Sequence, residues 1–345
     1  MGALASQAGI ALENAILYSE ISRMLEGFVR ASVEAIEQRD PTTSGHSRRV
    51  ADLTVSLARA VEQGGGPRFA NVRFTRDDIR ELEYASLLHD FGKIGVREEV
   101  LVKAKKLYEH QLDNIRLRFD LAIRAIEADI LQRKLFVLER RGDKAELQSL
   151  DEEMRVRKLE LEQNFQAVAA ANEPTVLKEG EFQRIEAISR ETYAALDGAL
   201  HPLLSKDEVL SLSIQRGSLT SSEIDEIRSH VVHTFEFLSQ IPWGKQFRRV
   251  ALIAGAHHER LNGTGYPNRL QAAEIPLQSK MMSIADIFDA LTASDRPYKK
   301  AVPIERALDI LGYEVKDQHI DGDLLRVFVD ARVWEVAPPP SQRFR

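Results

Sequence analysis

The sequence predicts an all-α protein: a helical bundle with a long N-terminal connecting helix and an inserted antiparallel coiled-coil hairpin. Three observations support this fold class. Apolar residues recur at steps of three and four along most of the chain. N-capping signals precede several of these runs. Residues 107–168 form a charged, glycine-poor stretch with two apolar seams, which is typical of two long paired helices.

The first segment reads as a connecting helix over residues 4–28. Its apolar stripe is formed by Leu4, Ala8, Ala11, Ala15, Tyr18, Ile21 and Leu25. A helix of this length has no obvious core of its own to bury against. We therefore expect it to pair with a second copy in a homodimer, with packing on its own domain as the alternative.

Two helices that carry candidate ligands come next. His46 lies in the first turn of an amphipathic helix that follows a proline and a glycine. Thr75, three residues before Asp78, is an N-capping signal for a second helix, which ends in His89 and Asp90. Polar side chains at the end of a buried apolar run are costly unless they are satisfied, and a metal ion would satisfy them.

The charged stretch predicts two helices of about 30 residues on either side of the turn "RRGDKA". A shorter helix, "EFQRIEAISRETYAAL", follows. We expect a connecting helix over 1–28, a second domain formed by 29–103 and 216–335, and a helical hairpin insertion over 104–215. The insertion is a candidate for gating a cleft, for dimerisation or for receiving a signal.

The C-terminal half supplies further imidazoles and carboxylates. Thr220 and Glu223 form a second capping signal, which predicts a helix with His230 near its middle. The candidate ligands of the whole chain are His46, His89, Asp90, His230, His257, His258 and Asp286. Imidazole and carboxylate together suit iron, manganese, zinc or nickel, and the set is large enough for two ions that share a bridging carboxylate.

Composition excludes several classes. The chain has no cysteine, so disulfides and thiolate metal sites are ruled out. A formal charge of -6 gives no global basic field for nucleic acid. The sequence shows neither an apolar run of membrane-spanning length nor a basic segment before the first apolar one. We expect a soluble, cytoplasmic protein.

Several blocks resemble one family. "HDFGK" resembles the signature of HD-domain phosphohydrolases, and "HHERLNGTGYP" matches the element that marks the HD-GYP subgroup. The blocks "GHSRRVA", "IRSH" and "ADIFDALTASDRPYKKA" extend the resemblance in the same order. It implies an all-helical, metal-dependent phosphodiesterase that hydrolyses cyclic di-GMP to pGpG and often GMP. "LASQAGIALENAILY" resembles the last helix of a GAF sensory domain.

The resemblance also implies a ligand set. Asp90 would bridge two divalent ions, iron or manganese in the first place and nickel or zinc as alternatives. One ion would be completed by His46, His89 and Asp286, and the other by His230, His257 and His258. His233 is the competing ligand from the His230 helix. The segment "RDPTTSGH" lacks the glutamate that serves a third metal in some members, so two ions are expected.

The remaining roles concern substrate and catalysis. A hydroxide that bridges the two ions would attack the phosphodiester in line, and Lys93 would support the developing charge. Gly265 and Tyr266 would contact the substrate, with Arg296 and Lys299 as phosphate and guanine contacts. Glu259 either orients a ligand histidine or caps the turn.

Two other functions remain open from the sequence. One is a catalytically weak module that binds nucleotide, a diguanylate cyclase (GGDEF) domain or another regulatory protein. The other is hydrolysis of a different cyclic dinucleotide such as cyclic GMP-AMP.

Overall fold

The computed structural model describes residues 2–39, 44–176, 179–194, 198–293 and 301–336. Helices dominate these residues, which confirms the all-α prediction. The chain divides into two compact units, one of Met1–Val102 with Asp225–Arg345 and the other of Lys103–Ile224. In the described part of the chain, every helix is too short or too polar to cross a lipid bilayer.

The α-helices and strands are numbered in chain order, and the short 3-10 helices Pro67–Phe69, Phe91–Gly95 and Lys245–Phe247 lie between them. The first ten elements are α1 (Gly2–Arg39), α2 (His46–Gly64), α3 (Arg76–Leu87), α4 (Glu98–Leu101), α5 (Glu109–Glu139), α6 (Lys144–Ala171), α7 (Glu179–Ile188), β1 (Thr192–Ala194), β2 (Leu200–Pro202) and α8 (Lys206–Leu212). The remaining seven are α9 (Ser221–Arg228), α10 (His230–Gln240), α11 (Val250–Ala254), α12 (Leu277–Thr292), α13 (Ile304–Lys316), α14 (Gly322–Asp330) and α15 (Val333–Val336).

Helix α1 is longer than the apolar stripe predicted. It continues past Phe28 to Arg39, because its last turns bury Val29 and Ile36 in the core of the first unit. Apolar burial of this kind contributes more to helix stability than intrinsic propensity does.

The core of the first unit lies between α2, α3 and α12. Leu57, Leu82, Ile284 and Phe328 are fully buried in it. The predicted capping box of α3 is present, since the Thr75 hydroxyl accepts from the amide of Asp78 and the Asp78 carboxylate accepts from the amide of Thr75. The cap fixes where α3 begins, and the length of α3 sets where the following turn lies.

The second unit is built on α5 and α6. Ion pairs from Arg133 to Glu153 and from Lys158 to Glu127 show that the two helices run antiparallel. Their facing sides bury an apolar core that includes Ile115, Phe119, Leu161 and Val168. The two predicted helices are therefore present, and their coiled-coil geometry stays a prediction.

Two local predictions are wrong. The helix expected over residues 181–196 ends at Ile188, and Thr192–Ala194 instead pairs antiparallel with Leu200–Pro202. His230 begins α10 rather than lying inside a helix. Regular helix geometry is interrupted at Ser229, between α9 and α10. There the Ser229 hydroxyl donates to the carbonyl of Glu226 and the His230 ring donates to the carbonyl of Ile227, in place of regular helix hydrogen bonds.

Candidate metal centre

The seven candidate ligands come together within the first unit. His46 begins α2, His89 and Asp90 form the turn after α3, His230 begins α10, His257 and His258 form the turn after α11, and Asp286 lies in α12. Three groups of three have ligand atoms within 4.8 Å of one another: His46, His89 and Asp286; His230, His257 and His258; and His89, Asp90 and His257, which overlaps the other two. We call His46, His89 and Asp286 site A, and His230, His257 and His258 site B.

Asp90 lies between the two sites. Its Oδ2 is 3.8 Å from His46 Nε2 and 3.5 Å from His89 Nε2, both in site A. Its Oδ1 is 3.2 Å from His230 Nε2 in site B. The two oxygens of one buried carboxylate therefore face different sites, which is the arrangement that a bridging ligand needs.

Three buried histidines share one hydrogen-bonding pattern. The Nδ1 atoms of His89, His230 and His257 donate to the carbonyls of Ser86, Ile227 and Ala254 at 2.7, 2.5 and 2.6 Å. A neutral imidazole that donates from Nδ1 presents a lone pair at Nε2. The Nε2 atoms of all three rings are buried without a hydrogen-bond partner.

These atoms fit a metal ion. A buried polar atom without a partner is costly, and three of them converge beside two carboxylates that present further lone pairs. A divalent cation would satisfy all of these acceptors together, and the backbone carbonyls already fix the ring orientation that it requires. The residues of sites A and B, with Asp90 between them, can therefore hold metal.

The electrostatics of the centre favour deprotonated ligands. Burial would raise the pKa of Asp90, but the Lys93 ammonium and the neighbouring imidazoles hold it well below its usual range. Burial lowers the pKa of His257 strongly and lowers that of His258 to about 4. Ionised carboxylate and neutral imidazole are the forms that bind metal.

His46 differs from the other imidazoles. Burial lowers its pKa, but hydrogen bonds to Asp286 and Asp289 outweigh this effect and raise the pKa to about 9. Its Nε2 lies 3.2 Å from Asp286 Oδ1 and its Nδ1 lies 2.7 Å from Asp289 Oδ2. These two contacts favour the protonated form of the His46 ring.

The sequence did not identify Asp289 as a residue of the centre. Asp289 is 3% exposed, accepts from His46 Nδ1, and accepts from Arg49 Nε at 2.6 Å. Such a carboxylate orients a ligand histidine through the nitrogen that faces away from the metal. The available signal was spacing, since Asp289 follows Asp286 by three residues and Arg49 follows His46 by three, which puts each pair on one helix face.

Gly92 and Thr234 join the turn after α3 to α10. Thr234 Oγ1 donates to the carbonyl of His89 at 3.0 Å and accepts from the amide of Gly92 at 2.8 Å. A Cβ at Gly92 would lie 1.9 Å from the carbonyl oxygen of His230. Only glycine allows this approach, so the glycine of "HDFGK" sets the distance between ligands of the two sites.

Lys93 points at the bridging position. Its Nζ lies 2.9 Å from Asp90 Oδ2, and its side chain is 15% exposed. A cation here lies beside the carboxylate that faces both sites, where it can also reach an anionic group bound to them.

The loop after site B covers that site. The Tyr266 ring lies 4.9 Å from the His258 ring, and the Arg228 guanidinium lies 5.5 Å from the Tyr266 centroid. A Cβ at Gly265 would lie 2.3 Å from the Arg260 amide nitrogen, so the backbone packs closely there. The buried Glu259 carboxylate accepts from the amides of residues 268 and 270, and it therefore caps the turn.

Two other predictions concern single positions. Arg296 and Lys299 lie outside the described residues. His233 belongs to none of the metal-ligand groups found among the described residues, and its ring lies against Gly95, where it is 42% exposed. His230, which belongs to site B, stays the predicted ligand from this helix.

Comparison with known proteins adds the following matches. Residues 43–169 and 205–324 match two family models, each described as an HD domain. A Vibrio cholerae protein named 3'3'-cGAMP-specific phosphodiesterase 3 is 42% identical over 95 residues, which are 28% of this chain and 20% of that protein. The Xanthomonas campestris protein named cyclic di-GMP phosphodiesterase response regulator RpfG is 40% identical over 104 residues, or 29% of this chain and 26% of that protein.

A third relative extends the coverage. A cyclic di-GMP phosphodiesterase of Pseudomonas aeruginosa is 34% identical over 145 residues, which are 40% of this chain and 32% of that protein. The matched segments thus span about a fifth to a third of these curated relatives. The two family matches, the helical fold and the clustered histidines and aspartates together support membership of the HD superfamily of phosphohydrolases.

Proposed function

We propose that this protein is a phosphodiesterase of the HD-GYP type that hydrolyses cyclic di-GMP to pGpG and, by a second cleavage, to GMP. The observation that carries the proposal is the set of three buried Nε2 atoms without a partner beside two carboxylates. The names of the relatives support the substrate class, since they act on cyclic dinucleotides.

The proposed centre holds two divalent ions, iron or manganese in the first place and nickel or zinc as alternatives. One ion would be held by site A and the other by site B, with Asp90 as the shared ligand. Bound there, the ions would supply Lewis acidity toward the phosphodiester and lower the pKa of an attacking water.

The chain's own residues bind and orient the substrate. Water adds to phosphorus, the bond to the 3' oxygen breaks, and that oxygen leaves as a hydroxyl after taking up a proton. Lys93, 2.9 Å from Asp90, holds a positive charge where the non-bridging oxygens gain negative charge. Tyr266 and the closely packed Gly265 form the wall beside site B, and Arg296 and Lys299 are proposed as further substrate contacts.

Product formation tests the proposal. The protein would be incubated anaerobically with Fe(II), or with Mn(II), and cyclic di-GMP, and linear products would be separated by liquid chromatography. We expect pGpG from the native protein and none from Asp90→Ala. Equal product from both proteins, or none from the native protein under any metal, would reject the catalytic role.

Cyclic GMP-AMP is the second candidate substrate. The relative that is 42% identical is named as specific for 3'3'-cGAMP. The same metal centre serves either dinucleotide, because the attacked phosphodiester is identical in both. Competition between equimolar cyclic di-GMP and 3'3'-cGAMP gives the ratio of the two kcat/KM values directly.

We propose the domain organisation given by the sequence, with a connecting helix over 1–28, a catalytic domain over 29–103 and 216–335, and an insertion over 104–215. We further propose a homodimer through α1. Tyr18 and Ile21 of the predicted stripe are 74 and 57% exposed, and Ile10, Leu17 and Met24 beside them are 57, 49 and 71% exposed, so α1 presents an apolar seam that a second copy would bury. Sedimentation of Leu17→Lys tests this, because an unchanged mass would reject the seam.

A further inference from the structure

Helix α1 has an exposed part and a docked part. Its first turns leave Ile10, Leu17 and Met24 largely exposed, whereas Val29 and Ile36 are 1% and 4% exposed in the core of the first unit. The last turns of α1 are thus held against α3 and the helical turn Phe91–Gly95.

Arg39, the last residue of α1, binds the segment that follows the HD turn. Its NH1 donates to the carbonyl of Ile94 at 2.6 Å and its NH2 donates to the carbonyl of Val96 at 2.9 Å. This segment is the short helical turn Phe91–Gly95, which carries Lys93. A guanidinium that spans two carbonyls fixes both the position and the orientation of such a turn.

Glu37, half a turn earlier, binds the segment that leads into site A. Its Oε2 accepts from the amide of Gly45 at 2.9 Å, and the next residue is the ligand His46. The carbonyl of Gly45 in turn accepts from the amide of Arg49, whose side chain binds Asp289. One end of α1 is therefore hydrogen-bonded to both segments that bring Lys93 and His46 to the centre.

We propose that Glu37 and Arg39 are positioning residues through which α1 sets the placement of His46 and Lys93 at the metal centre. The inference rests on the proposed function, since it assigns the way in which that centre is held and adjusted. A shift of the end of α1 would move the Gly45 amide, held by Glu37, and the carbonyls of residues 94 and 96, held by Arg39, and with them His46 and Lys93. An input at the exposed part of α1 would thereby reach metal binding and turnover at once.

The experiment separates the two contacts. Glu37→Ala should weaken Mn(II) binding by about tenfold, the lower end for a residue that supports a ligand, and should speed hydrogen exchange at the amide of Gly45. Arg39→Ala should lower kcat for cyclic di-GMP by about tenfold with KM little changed, because it displaces Lys93. Arg30→Ala and Glu34→Ala, exposed on the same helix, are the matched controls.

Conservative variants guard against loss of folding. Glu37→Gln keeps an acceptor and should restore Mn(II) affinity. Arg39→Lys keeps the charge and cannot donate to both carbonyls, so its kcat should fall between those of the native protein and Arg39→Ala. If Arg39→Ala unfolds by circular dichroism, Arg39→Lys decides, and a native kcat in that variant overturns the role of Arg39.

The outcomes distinguish this inference from the proposed function. Glu37→Ala and Arg39→Ala that match their controls in Mn(II) affinity, hydrogen exchange and kcat overturn the inference while native turnover stands. A native protein that binds Mn(II) and hydrolyses no cyclic dinucleotide rejects the proposed function. In that case Mn(II) affinity and hydrogen exchange still decide the role of Glu37, and exchange over residues 91–96 decides that of Arg39.

Discussion

Asp289→Asn should weaken metal binding at site A while leaving the fold intact. Asp289 accepts three hydrogen bonds, one from His46 at 2.7 Å and two from Arg49 at 2.6 and 3.0 Å. An asparagine side chain has one acceptor oxygen and no charge, so it cannot replace all three. The His46 ring then loses the partner that fixes its orientation.

The size of the effect follows from these contacts. Hydrogen bonds that involve a charged group each contribute about 1.5–3 kcal/mol. Loss of an outer partner of a ligand histidine typically reduces metal affinity by about 10–100-fold, which corresponds to about 1.4–2.8 kcal/mol. We expect Asp289→Asn to fall in this range for one ion.

A titration of the metal-free protein with Mn(II), followed by the electron paramagnetic resonance signal of the free ion, measures this change. Asp309→Asn is the matched control, because Asp309 is an exposed carboxylate of the same unit that pairs with the exposed Arg306 at 3.6 Å. Native affinity in Asp289→Asn, with native circular dichroism, would refute the assignment of Asp289 to His46.

Three further predictions concern packing, protonation and charge. Gly92→Ala should lower the thermal unfolding temperature, because its Cβ would lie 1.9 Å from the α10 backbone and such overpacking costs about 1–3 kcal/mol; Gly312→Ala, with nothing within 4 Å, should not. Because the pKa of His46 is raised from 6.5 to about 9, protonation of His46 stabilises the metal-free fold. This stabilisation is fully present below pH 6.5 and is lost as the pH rises through about 9. The apparent Mn(II) affinity should therefore rise by about tenfold per pH unit up to that value and then level, as calorimetry in two buffers would detect. Lys93→Met should lower kcat by about 10²–10³-fold, whereas Lys245→Met, at an exposed lysine, should leave kcat unchanged in the same product assay.

Local sequence signals predicted much of the fold. The capping boxes at Thr75 and Thr220 are both present, because they depend on residues three apart. The two long helices around residues 140–143 are also present, since heptad-like apolar spacing determines them. The strand at Thr192–Ala194 was missed because it is stabilised by pairing with residues 200–202 rather than by the local propensity of its own residues.

The candidate site was predicted less evenly. Residue types and the family resemblance identified the seven candidate ligands, which lie together in sites A and B with Asp90 between them. The supporting residues Asp289, Thr234 and Glu37 were not identified, because each acts through a partner that is remote in sequence or on another helix. The interruption of the helix at Ser229 was likewise not predicted, because it involves hydrogen bonds from the side chains of Ser229 and His230 to backbone carbonyls.

The number of metal ions bound per chain tests the central claim most directly. The protein would be loaded anaerobically with Mn(II) or Fe(II), freed of excess ion and measured by elemental mass spectrometry against protein concentration. The two-site account predicts two ions per chain in the native protein and fewer than two in Asp90→Ala, which removes the shared carboxylate. A native protein that retains one ion or none, or an Asp90→Ala protein that retains two, would contradict it.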